Sequence, residues 1–463
     1  MYLIHKNSIE LNCTKEPLGK QFKTDINQVL ELEFYPRLEK LLLQYDDADT
    51  IWLIDDLPIV LNDLSSKYWK TEFVDQSMLQ IESFLKEYLP MKRRVDEEKP
   101  TAKSGWKMDK KERAKQLIIK FLETGIIETN IQATVLSTLY NDIEIDKHFV
   151  KKMKTVLKDE IRMILRWSLN LPRHFKFKFL EADGITHDFD FAVKAIDRSP
   201  QLNDFLEFLY WIAYFNEESS MLSQHFMTRI KRIAEEYYNI ESSYVDKLLY
   251  QNDESDSSII KPVALNTSVD EELFEGINFS HKEINTNENN KLFDQDKVLF
   301  VENAGLVLLH PFLPKLFSEL GYQENGIWKD VLSQHRAVLV LQYLVGFEEV
   351  IFENQLILNK LFCGVNPIDT VQTKFEASQI EIRVCQDLLQ SVINHWTILK
   401  NTSVSGLQES FIKRSGKLAL REDEHYELTV ENKSYDLLLD QLPWGIGMIK
   451  TPWMEDYLIC NWN

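Results

Sequence analysis

The last third of this chain constrains its fold more than any other part. Between residues 298 and 463, large apolar and aromatic groups stand beside turn-forming Gly and Pro at many points. The stretch opens Val301-Glu-Asn-Ala-Gly-Leu-Val-Leu-Leu-His-Pro-Phe-Leu-Pro-Lys-Leu-Phe317. It closes Tyr435-Asp-Leu-Leu-Leu-Asp-Gln-Leu-Pro-Trp-Gly-Ile-Gly-Met-Ile-Lys-Thr-Pro-Trp453. So much apolar area is driven out of water, and turns this frequent fold the segment back on itself into a compact block. Its polar residues show no arrangement that catalysis would use. The block reads as built to pack against something rather than to transform it.

At 463 residues the chain is long enough for two to four domains with real interiors. A hydrophobic fraction of 44% beside 27% charged residues is ordinary soluble usage. There is no run of 18 apolar residues, and Met1-Tyr-Leu-Ile-His-Lys lacks the layout of a signal peptide. The expectation is a cytoplasmic product without a membrane span, leaving the cell only as part of something larger. Cys13, Cys363, Cys385 and Cys460 are scattered in apolar surroundings, form no CxxC and have no His at ligand spacing, so they read as buried reduced thiols. No cofactor or metal is expected.

The formal charge of −20 opposes general nucleic-acid binding. The charge is uneven, however: residues 92–178 hold 21 Lys/Arg against 12 Asp/Glu, so this stretch is +9 and the remainder −29. Within it Lys147, Lys151, Lys154, Lys158 and Arg162 recur at helical spacing. A solvated helix face is one reading of them, a docking face for an acidic surface, such as an acidic part of an assembly, is a second, and nucleic acid is a third.

The pattern predicts a mainly α chain with small β elements (α+β), in several domains. Residues 1–90 read as an N-terminal α+β domain: a strand over Tyr2–Asn12, a helix capped by Asp25, a second strand over Ile51–Leu61 with Pro58 at an edge or bulge, and a helix near 75–88. A charged linker follows over 91–109. A helical domain over 110–250 contains Lys111–Thr124 ending at Gly125, Asn130–Asn141, and one longer helix over 146–169 broken by Pro172. Its later part carries Phe205, Leu206, Phe208, Leu209, Trp211 and Ile212, too apolar to be left in water. Residues 251–296 form a polar low-complexity linker. The signature domain, 297–463, holds an amphipathic helix over Glu376–Leu399, a capping box at Ser405-Gly-Leu-Gln408, and a hairpin of Lys417–Arg421 with His425–Val430.

No phosphate cradle or nucleophile elbow occurs. The acidic neighbours Glu348-Glu349 and Asp55-Asp56 point apart on either kind of element, so they do not make a catalytic couple. His310 before Pro311 reads as a structural group. Trp444 and Trp453, each beside proline in a turn, suit either an interface or this block's own core, as do Pro311, Phe312 and Pro452.

Several ordered segments carry a resemblance. Val301–Leu313, Leu341-Gln-Tyr-Leu with Gly346-Phe-Glu-Glu, Leu356-Ile-Leu-Asn-Lys-Leu-Phe-Cys-Gly364, Gly406-Leu-Gln-Glu-Ser-Phe, Leu442-Pro-Trp and Pro452-Trp453 closely resemble the contractile injection system tape measure proteins. So does the N-terminal Ile54-Asp-Asp-Leu-Pro-Ile, which departs locally where a basic third residue is usual. The resemblance implies a non-enzymatic assembly protein of a phage-tail-like machine that governs inner-tube length or assembly. Its implied partners are the inner tube, the baseplate hub and cargo. The alternative is an assembly chaperone or adaptor that docks hub, tube or cargo without acting as a ruler. A fully helical chain this long would reach about 700 Å. Short helices with apolar stripes argue instead for compact bodies, the signature block being near ~40 Å across.

Overall fold

The computed structural model describes residues 4, 7, 9–13, 16–45, 50–54, 57–88, 105–127, 139–140, 143–185, 200–216, 224–250, 298–348, 350–421 and 425–462. They divide into two compact units, Met1–Gln116 and Leu117–Asn463.

In the first unit, α1 (Glu16–Val29) passes through a π turn (Leu30–Phe34) into α2 (Tyr35–Leu42). Val29, Leu30, Phe34 and Leu38 bury against Phe73, Val74, Met78, Ile81 and Leu85 of α3 (Trp69–Tyr88). Helix α1 starts at Glu16, so Asp25 lies inside it instead of capping it. The Asp25 carboxylate pairs with Lys70 at 2.8 Å. Strand β1 (Thr50–Ile54) runs antiparallel to β2 (Gly105–Asp109), with Thr50 opposite Asp109. The end of the stretch read as linker is therefore a strand. The expected strand through Leu61 stops at Ile54, because the backbone beyond it finds other partners. Gln80 of α3 binds both the N–H and the C=O of Val60, and Gln76 accepts from the Asn62 N–H at 3.0 Å. The strand expected over Tyr2–Asn12 is also corrected. Its described residues, Ile4, Asn7 and 9–12, take no regular structure, and Ile4, Ile9 and Leu11 stay exposed without a sheet face to cover them.

In the second unit the first layer is helical. Helix α4 (Lys110–Thr124) reaches into it and ends at Gly125, whose φ of 71° is the left-handed conformation that terminates helices. The single helix expected over 146–169 is two, α5 (Lys147–Leu157) and α6 (Ile161–Asn170). The break is Asp159 at φ 62°, its N–H held by the Asn216 side chain at 2.6 Å. After Pro172 come α7 (Arg173–Ala182), α8 (Pro200–Phe215), α9 (Gln224–Tyr238) and α10 (Ser242–Tyr250). Trp167 of α6 joins these helices. Its ring meets Phe175, Phe179, Trp211 and Phe215 edge-on, with centroids 4.8–6.0 Å apart. The helix expected over Asn130–Asn141 and the linker 251–296 fall largely or wholly outside the described residues.

The C-terminal layer begins with β3 (Val298–Val301) and a 3-10 helix (Ala304–Phe312) leading into α11 (Leu313–Glu319). A small hairpin follows, β4 (Gln323–Glu324) with β5 (Ile327–Trp328). Helix α12 (Val331–Gly346) is buried along most of its length and forms the spine of the core, with α13 (Ile357–Phe362) and α14 (Gln379–His395) packed around it. Helix α14 fits the amphipathic expectation: Val384, Cys385, Leu388, Leu389 and Val392 are buried, and Ser378 and Glu381 form its capping box. Its Ile380, in contrast, faces out. The short α15 (Val404–Leu407) is capped by Ser403, not by Ser405. Strands β6 (Gly416–Leu420) and β7 (Tyr426–Val430) make the expected hairpin. With β8 (Met448–Ile449) and β9 (Leu458–Asn461) they complete a five-stranded sheet ordered β3-β6-β7-β9-β8, antiparallel except for the parallel β7–β9 pair. The protein is thus mainly α with small β elements.

Candidate functional site

The aromatic candidates gather at the two ends of α11. At its start Phe312 packs edge-on against Trp444 at 5.2 Å and meets His395 at 5.7 Å, while the Trp444 Nε1–H donates to the Leu308 carbonyl at 3.1 Å. At its end Phe317 lies under Trp328 and Trp453, whose rings are 4.5 Å apart. Trp444 and Trp453 are therefore half-buried rims of the C-terminal core, with one edge toward solvent. Pro311 and Pro452 are exposed beside them, and Ile327 is 73% exposed on the hairpin. Rings held this way bring rigid contact area to a partner at little entropic cost.

The cationic candidates separate at the Asp159 break. Lys147, Lys151 and Lys154 share one stripe of α5; Lys158 follows the helix end, and Arg162 lies in the first turn of α6. Lys154 is neutralised by Asp183 at 2.6 Å and sits 4.7 Å over the Tyr214 ring. The other four are exposed.

What the sequence did not reveal is the interior use of the motif polar residues. Asn303 donates to the side chains of Gln342 at 2.9 Å and Asn359 at 2.8 Å, which ties three recognised segments together. Gln408 reaches the Leu344 carbonyl at 2.8 Å. Gly305 lies so close to the Phe411 carbonyl that a Cβ there would sit 1.7 Å from its oxygen, so only glycine lets the 3-10 helix approach.

A second interior cluster joins the helical layer to the C-terminal layer. Glu353, fully buried, accepts from Arg166 at 3.0 Å, from Asn170 at 2.7 Å and from Lys360 at 2.9 Å. Arg166 also donates to the carbonyls of Leu122 and Ile368, each at 2.5 Å. Burial pushes the Glu353 carboxyl up, but Arg166 and Lys360 outweigh it and hold it below the usual range. A third cluster is Arg414, which forks onto Asp436 at 2.8 and 3.0 Å, while Asp436 also takes the Trp462 indole N–H at 3.0 Å. A fourth is Glu381. Burial raises its pKa, yet hydrogen bonds from Arg336, Tyr322 and Ser378 bring it down to about 2. One signal was available for the second of these clusters: Lys360 is a lone charge inside the apolar run Leu356–Cys363.

His310 donates from Nδ1 to the Val307 carbonyl at 2.8 Å, and burial lowers its pKa, as suits a structural group. His335 is nearly buried, and burial together with Lys360 lowers it to about 4. It borders a groove of about 470 Å³ also lined by Tyr237, Lys329, Arg336, Leu339 and Lys374. Arg336 and Lys374 there are already paired, with Glu381 and Asp204. Cys363, Cys385 and Cys460 are buried thiols, the last two pushed up to about 12. Cys13 is exposed, against expectation, because the segment around it packs under no sheet. Among the described residues no group of His, Cys, Asp or Glu is arranged to hold a metal, and no helix is long and apolar enough to cross a membrane. Glu349, Asp55 and Asp56 lie outside the described residues.

The polar groups of the motifs are thus spent on joining segments, and aromatic rims are left at the surface of the C-terminal layer. The chain belongs to the contractile injection system tape measure protein family, whose family model matches residues 1–462. No curated protein and no solved structure matches it.

Proposed function

We propose that the protein is a non-enzymatic assembly factor that governs growth of the inner tube in a contractile injection machine, and that it acts as a folded body. The observation that carries this reading is the Arg166–Glu353–Lys360 cluster. Drawing the chain into a thread would dissolve this cluster and return to water the apolar core packed around it, which opposes extension. The half-buried edges at Pro311, Phe312 and Trp444 and at Pro452 and Trp453 are the surfaces offered to tube or baseplate hub, with cargo as a further partner. Assembly in the cytoplasm goes with this role. The N-terminal residues 1–90, the helical residues 110–250 and the signature residues 297–463 each meet a different partner, the last two while packed in one unit.

The experiment is to shorten the chain within residues 251–296 and measure tube lengths by electron microscopy. A shifted length distribution supports growth control. Normal lengths, with the protein recovered in complex with hub or tube subunits, move the role to an adaptor. Recovery of no machine component overturns both readings.

A further inference from the structure

We infer that the exposed cationic face along α5 and onto the start of α6 is a docking surface for an acidic protein surface. This rests on charge and exposure and does not depend on the role in tube growth. Residues 147–183 hold 10 Lys/Arg against 4 Asp/Glu in a chain whose net charge is −20. Two of these cations are interior and engaged: Arg166 on Glu353, and Lys176 on Glu207 at 2.6 Å. Lys154 is engaged at the margin by Asp183.

Lys147 and Lys151 stand on the outer stripe of α5, turned away from the buried Phe149, Val150, Met153 and Leu157. Together with Arg162 they are exposed and make no ion pair among the described residues. Arg229 of α9 adds to the face. Burial and then the like charge of Arg162 lower its pKa, with Glu160 opposing, which places two guanidinium groups within each other's field.

Like charges grouped in this way repel and add nothing to the fold. Among the described residues no carboxylate pairs with Lys147, Lys151 or Arg162. A complementary acidic patch on another protein would recover that repulsion and would set orientation and association rate. Nucleic acid fits less well. A duplex carries a charge about every 1.7 Å and would run on past the face against a strongly acidic remainder. A bounded acidic patch ends where the face ends.

The test measures binding of fluorescein-labelled poly-L-glutamate to the full chain by anisotropy, at low and at physiological ionic strength. K147E/K151E/R162E should weaken binding about tenfold or more, and K147Q/K151Q/R162Q by a smaller factor. Reversing Lys23, Lys40 and Lys400, exposed elsewhere, should change it less than about twofold. Equal losses in both reversal triples overturn the proposal. So does duplex DNA that binds more tightly than poly-glutamate and is released by the same K147E/K151E/R162E change.

Discussion

Glu353 is the residue on which the second unit is most exposed to failure. Its carboxylate is fully buried and balances two cations, so Glu353→Gln keeps the volume but leaves Arg166 and Lys360 uncompensated. The expected loss is about 3–5 kcal/mol in urea unfolding. Replacing an exposed partner such as Glu319 should change little. The same residue sets part of the acid response. Its folded pKa is depressed, so its stabilisation is complete above the ordinary carboxylate pKa and fades as pH falls through the folded value. His335 acts in a higher window. Held near 4 in the fold, it is neutral where the unfolded imidazole, near 6.5, already binds a proton. Stability should therefore decline as pH drops from 6.5 toward 4, a slope that His335→Gln should reduce, the remainder belonging to His310 and, toward pH 4, to the depressed carboxylates of Glu353, Glu381 and Asp436. Denaturant midpoints at pH 7 and pH 5 check this.

At the scale of elements, two contacts decide how helices meet. Trp167 has no exposed surface and touches aromatic rings of α7 and α8, so Trp167→Ala should cost about 3–5 kcal/mol and broaden the melting transition of the second unit. Gly305 sets the approach of the 3-10 helix to the turn holding Phe411. Gly305→Ala should cost about 1–3 kcal/mol, more if the backbone cannot retreat from the Phe411 oxygen. A Gly305→Ala protein with an unchanged unfolding midpoint would refute the close approach. Local patterns gave good warning of α4 with its Gly125 stop, of α14 and of the β6–β7 hairpin, since each is set by neighbouring residues. They failed at Asp159, where a side chain far along the chain, Asn216, holds a left-handed residue and splits one apparent helix.

At the scale of the whole molecule, the helical segment and the signature block belong to one compact unit, and the coupling runs through the Glu353 cluster. Arg166→Met should lower hydrogen-exchange protection in α13 as well as in α6, although α13 is untouched by the substitution. Loss of protection in α6 alone would show that the layers open independently. The polypeptide's own order of residues settled much: a compact aromatic C-terminal block, a mainly helical middle, a marked charge asymmetry, and family motifs specific enough to name. These follow from composition and short-range periodicity, which any chain carries before it folds. Folding alone decided that Asn303, Gln342 and Asn359 meet, that Glu353 faces Arg166 across 187 positions, and that Trp444 and Trp453 are rims of a core rather than free anchors. Pairing at such separation depends on which surfaces must be buried together, and that is a property of the packed interior rather than of any window of sequence.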